Sequence, residues 1–195
     1  MKIATSIIIV VLGLLQAKKT LEDWLKAVPE ATRKELTAKV DEALKGVASK
    51  EYYEVGNEIS DLAKGRDREE YLPICLEALR KSKGKAAAAL LHAIKVTGLA
   101  CKVKSADSTV PLNGIVVATA SAFVEDVEKD ARLTAVSVFK SLAGGQVDLS
   151  SGKKTPSLDA EGKAALKKAC EKAAGDKDAS VKEVAEEALK RLAAQ

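Results

Sequence analysis

Apolar side chains recur along most of this chain at the spacing of one helix face. Leu21, Trp24, Leu25 and Val28 form a first such stripe, and Leu36, Val40, Ala43, Leu44 and Val47 a second. Tyr52, Val55, Ile59 and Leu62 make a third, followed by Tyr71, Ile74, Cys75 and Leu79, and then by Ala87, Leu90, Leu91 and Ile94. Residues 110–124, 131–142, 158–174 and 181–192 continue the pattern to the C-terminus. The spacing predicts an all-α chain of paired helices. Pro29, Pro111 and Pro156 fall at or just before the expected helix starts, and Pro73 within a first turn, where a missing N–H does little harm.

Self-comparison adds a longer period. Segments beginning at Leu36, Lys83, Ala131 and Val181 are spaced 47, 48 and 50 residues apart. Four places in each are apolar: Val40, Ala87, Ala135 and Ala185; Ala43, Leu90, Val138 and Ala188; Leu44, Leu91, Phe139 and Leu189; Val47, Ile94, Leu142 and Leu192. These offsets share one helical face. Two of the segments also carry Asp126 to Asp130-Ala131-Arg132, and Asp176-Lys-Asp178 to Val181-Lys182. On those residues the chain resembles the HEAT/armadillo class of helical repeats, most clearly over residues 109–195. The segments at Leu36 and Lys83 match by face alone.

The resemblance implies a right-handed α-solenoid of about four helical hairpins within residues 18–195, with repeats at about 20–47, 50–101, 109–144 and 156–195. A single hairpin cannot bury its own stripe, so stacking must supply the core and the last helix a polar end. Lys182, Glu183, Glu186, Glu187, Lys190 and Arg191 are placed to provide that end.

The N-terminus departs from the pattern. Met1-Lys2 precede an uncharged, largely apolar run over residues 3–15. Such a run spans about 20 Å as a helix, short of the ~30 Å hydrocarbon core. Leu15-Gln16-Ala17 then resembles a cleavage site, so residues 1–17 read as a secretory signal, with an uncleaved membrane anchor as the alternative. Lys18 and Lys19 weigh mildly against efficient cleavage. The expected location is exported, periplasmic or extracellular, or else tethered through residues 3–17.

Composition agrees with helices: aromatics are only 3% of the chain, too few for a β-sandwich of this size. The net charge of +4 comes from interspersed signs, unlike the concentrated basic footprint of a nucleic-acid binder. Cys75, Cys101 and Cys170 form no C-x-x-C pair and read as buried thiols; Cys75 and Cys101 are placed too far apart along their helices for a disulfide.

Candidate chemistry is sparse. His92 is the single histidine, and its repeat column holds Lys45, Lys140 and Lys190; the column is expected to face solvent, either as ordinary surface or as a basic ladder. Trp24 reads as first-hairpin core, and one of Tyr52 and Tyr53 must be partly exposed because neighbours cannot share a face. Ser151-Gly152-Lys153-Lys154 resembles a phosphate loop, but Val147 stands where the first glycine is required, and Lys154 where Ser or Thr is. No catalytic residue, metal ligand or cofactor site is assigned.

Two long connections, residues 102–110 and 144–157, follow the second helix of successive repeats and are expected on one edge. Lys102, Lys104, Lys140, Lys153, Lys154 and Lys190 are the candidate partner-binding surface, suited to an acidic protein. The chain therefore reads as a non-enzymatic interaction or scaffold module, with an accessory subunit of a membrane-associated complex as the alternative. The HEAT class also contains bilin lyases and DNA glycosylases, but this chain has no site residues that match them.

Overall fold

The computed structural model describes residues 19–97, 106–147, 154–155 and 157–194. The expected export or anchor segment, Cys101, Lys102, Lys104, Lys153 and Pro156 lie outside the described residues.

Nine α-helices are present among the described residues. The first, α1 (Leu21–Ala27), opens on a capping box: Thr20 Oγ1 accepts the Asp23 N–H at 3.2 Å, and the Asp23 carboxylate accepts the Thr20 N–H at 2.8 Å. Pro29 then separates it from α2 (Glu30–Leu44), which tightens into a 3₁₀ turn, Lys45–Ala48. A second box formed by Glu51 and Glu54 starts α3 (Tyr52–Asp61). Next come α4 (Arg68–Lys81) and α5 (Gly84–Thr97). Gly84 begins α5 at φ +54, a conformation that suits a residue without Cβ. After α6 (Ala106–Ala120) and a 3₁₀ turn (Ser121–Phe123) comes α7 (Lys129–Ala143). The chain closes with α8 (Ala160–Ala173), capped where Asp159 accepts the Gly162 N–H at 2.7 Å, and α9 (Ala179–Ala193).

Two prolines sit deeper than expected. Pro73 and Pro111 both lie inside their helices, α4 and α6, because each helix begins five residues earlier, at Arg68 and Ala106. Each helix forgoes one backbone hydrogen bond there. The long connection after α7 also holds unexpected order: Gln146–Val147 (β1) pairs antiparallel with Lys154–Thr155 (β2).

The helices pack as two rows. One row runs α3 to α5 to α7 to α9, each against the next. The other runs α4 to α6 to α8, with α1 and α2 both against α4. Between the rows lies a continuous apolar core that includes Leu36, Val40, Ile59, Leu76, Leu90, Leu91, Val117, Phe139 and Leu166. The sequence alignment made α2 the counterpart of α5, α7 and α9. In the structure the helix laid along α5 is α3, and α2 sits against α4. The reason is local. Leu36 and Val40 give α2 the right face, but α3 carries Gly56, which lets two helix backbones approach closely. A Cβ there would lie 2.7 Å from the Ala89 carbonyl oxygen and 2.9 Å from His92 Cβ.

That contact makes a prediction against propensity. Gly to Ala in an open helix gains about 1 kcal/mol. Here the obstacle is neighbouring backbone, so Gly56→Ala should instead cost about 1–3 kcal/mol through forced separation of α3 and α5. A urea unfolding curve with a raised midpoint would contradict the packing.

Candidate functional site

Across the α3–α5–α7–α9 row the exposed edge of the helices carries a polar strip. At one end Tyr53 is 47% exposed, its ring meeting Tyr52 edge-on at 5.8 Å. Tyr52 in turn meets His92 edge-on at 6.2 Å, and His92 Nε2 lies 3.0 Å from Asn57 Oδ1. At the other end Lys140 of α7 pairs with Glu187 of α9 at 2.5 Å, and Glu187 also receives Arg191 at 2.7 Å. Lys140 first and then Arg191 hold the Glu187 carboxyl below the usual range. Lys190 is exposed beside them.

This arrangement corrects the reading of the His92 column. His92 does not face open solvent: it is half-buried at the α3–α5 contact, because α3 rather than α2 lies beside α5. Burial, and then the charge of Lys95, lower its pKa, which favours the neutral ring. Lys140 is committed to Glu187, and Lys45 to Glu42 in the last turn of α2 at 2.5 Å, so these two do not form a ladder of free cations. Among the candidate lysines, Lys154 falls in β2, and Lys102, Lys104 and Lys153 lie outside the described residues.

The aromatic expectations fare better. Trp24 is buried with its ring under the Lys19 ammonium, 4.7 Å from the centroid, and its indole N–H has no acceptor among the described residues. Tyr71 is fully buried and its hydroxyl donates to the Ile59 carbonyl at 2.9 Å, tying α4 to α3. Cys75 and Cys170 are both buried; burial, with a smaller push from Glu171, drives the Cys170 thiol up to about 12, far from a reactive thiolate. No cluster of three or more His, Cys, Asp or Glu side chains is placed to hold a metal among the described residues.

Two buried polar nodes were not anticipated. The first lies under the turns before α7 and α9. Asp126 Oδ1 accepts the Glu128 N–H at 2.9 Å, and Asp176 Oδ1 accepts the Asp178 N–H at 2.8 Å, the same turn 50 residues apart. Arg132, with its side chain 5% exposed, reaches from one turn to the other. It donates to Asp176 at 2.7 Å, to Asp178 at 3.1 Å and to the Asp126 and Val127 carbonyls at 2.9 and 3.2 Å. The signal was in the sequence, where Asp126 and Arg132 repeat as Asp176 and Lys182. In the earlier turn, Asp126 Oδ2 instead accepts the Gly84 N–H at 3.3 Å.

The second node joins helices distant in sequence. Arg68 donates to Asn113 Oδ1 at 2.5 Å, Asn113 donates to the Ser157 carbonyl at 2.8 Å, and the Ser157 hydroxyl donates to the Leu142 carbonyl. All three side chains are buried. The start of α4, the middle of α6 and the segment entering α8 are thereby fixed to the end of α7.

Comparison with protein-family models, with characterised proteins and with solved structures gave no match to this chain.

Proposed function

We propose that this chain is a helical-repeat interaction module of the HEAT/armadillo kind, a solenoid that binds a protein partner and acts without catalysis. The duplicated Asp turn, with Arg132 bridging its two copies, supports the repeat reading. The proposed docking face is the α3–α5–α7–α9 row, running from Tyr53 towards Lys190. The observation that carries this placement is Tyr53, an aromatic ring left half outside the fold yet held by Tyr52. Tyr is enriched at binding hot spots because it offers large rigid contact at low entropic loss. Lys190, exposed at the far end, and the sequence positions Lys102, Lys104, Lys153 and Lys154 favour an acidic partner. The N-terminal run supports export or membrane tethering, so the partner is sought in that compartment.

The test is site-specific photo-cross-linking in the native host. A photoreactive residue at Tyr53 or Lys190 should capture one and the same protein, and Tyr53→Ala should abolish capture from position 190. Capture of that protein only from the opposite row, for example from Lys168 of α8, would move the face. Reversal of Lys153 and Lys154 to Glu should slow capture most at low salt, where screening is weakest.

A further inference from the structure

The outer faces of the second row are not alike. On α4 the exposed side carries Arg80 and Lys81, and on α8 it carries Glu161, Lys167, Lys168, Glu171 and Lys172. On α6 the exposed positions from Pro111 onward carry none of these types. Residues 108–124 contain no Asp, Glu, Lys or Arg. Pro111, Ala118 and Ala122 are exposed and Ile115 half-exposed, and at helical spacing they form one stripe. A Cβ added at Gly114, on the same stripe, would meet nothing within 4 Å. A helix without charge beyond its first turn and with an apolar outer stripe is suited to burial on both sides, and this one has a side left open among the described residues.

The open side is a groove with a specific wall. Ile115, Ala118, Thr119, Ala122 and Phe123 form one flank, and Thr20, Leu21, Glu22 and Arg80 the other. Glu22 and Arg80 are paired at 2.7 Å, so the opposite rim carries no net charge. Thr20 stands at the start of α1, and immediately before it the sequence holds the uncharged run of residues 3–15. Residues 16–19 connect the run to this wall, with a reach of at most about 14 Å. A groove wall without net charge and direct attachment to the uncharged run single out one occupant.

We infer that the α6 groove is the seat of the chain's own N-terminal apolar segment, residues 3–15, when that segment is retained. The inference rests on the tethered form of the proposed function. It adds that the segment has two alternative environments, the groove and a membrane, so that docking in one withdraws it from the other.

The experiment uses the full chain carrying Ala118→p-benzoylphenylalanine, with ¹⁵N-labelled and unlabelled copies mixed before irradiation. The expected product joins position 118 to residues 3–15 within a single copy, so labelled and unlabelled peptides do not mix. Adding phosphatidylcholine vesicles should reduce its yield. Ala118→Asp, probed from Ala122, should cut the yield roughly tenfold, because a carboxylate is costly to cover with apolar chain. A cross-link joining labelled to unlabelled copies would assign the groove to a second copy and overturn the inference. So would cross-links to lipid alone, or a yield unchanged by Ala118→Asp. The Tyr53 experiment reads the other row, so a failure there leaves this result standing.

Discussion

Arg132→Ala should cost about 3–5 kcal/mol of folding stability, the range for removing one partner of a buried ion pair. The guanidinium has side-chain exposure of 5%, and the Asp176 side chain it holds is 7% exposed. Truncation strands that carboxylate and removes the donor from the Asp126 and Val127 carbonyls. Arg132→Lys should recover only part of the loss, since a point charge cannot serve Asp176, Asp178 and two carbonyls with one planar fork. Urea titration of the three proteins gives the comparison, and an alanine variant within 1 kcal/mol of the parent (about a fivefold change in the folding constant) would remove Arg132 from its role as inter-turn clamp. The pH dependence has a definite sign. Burial alone would raise the Asp176 pKa, but the hydrogen bond from Arg132 and the Asp178 N–H outweigh it, and the pKa lies below its ordinary 3.8. A depressed carboxyl stabilises the fold above the unfolded value and loses that contribution as pH falls through the lower, folded value. The parent should therefore lose this contribution only below pH 3.8, and Arg132→Ala, with its carboxylate deprived of a cation, should be relieved by acid over a range where the parent is unaffected.

What the sequence made legible follows from what repeats and what does not. Period 3.6 located most of the helices because the core faces are built from Leu, Val and Ala at fixed steps; α6 showed instead as an uncharged run without a single face. The Asp126 and Asp176 turns were visible as a 50-residue echo because their geometry is local: each aspartate binds a backbone N–H two residues on. Partner choice among helices was not local. Any Ala- and Leu-rich face fits any other by pattern, and the assignment of α3 to α5 depends on Gly56, a single missing Cβ. His92 was misplaced for the same reason, since its environment is α3, which the alignment had set aside. The Arg68–Asn113–Ser157 node was illegible because its members are 45 and 44 residues apart and belong to no repeat column. The candidate lysines divided by circumstance: Lys140 turned out to be paired, which a charge count does not reveal.

The repeat columns themselves make the last prediction, because one column runs from the middle of the stack to its end. Phe139 and Leu189 occupy equivalent positions on α7 and α9, and both were expected in the core. Phe139 is fully buried, with α5 on one side and α9 on the other. Leu189 is only half-buried and packs at the margin, because no described helix follows α9 in the row. Phe139→Ala should therefore cost about 3–5 kcal/mol, as a cavity closed on all sides cannot relax. Leu189→Ala should cost about 1–2 kcal/mol, since much of its methyl surface already meets water and the site can collapse. Lys190→Ala, one residue on, should change stability by no more than about 0.5 kcal/mol. Hydrogen exchange separates the two core effects further. Loss at Phe139 should lower protection across both rows, whereas loss at Leu189 should release α9 alone, the pattern of nearest-neighbour coupling in a stacked array. Equal costs at the two positions would mean that α9 is covered on its outer side in solution.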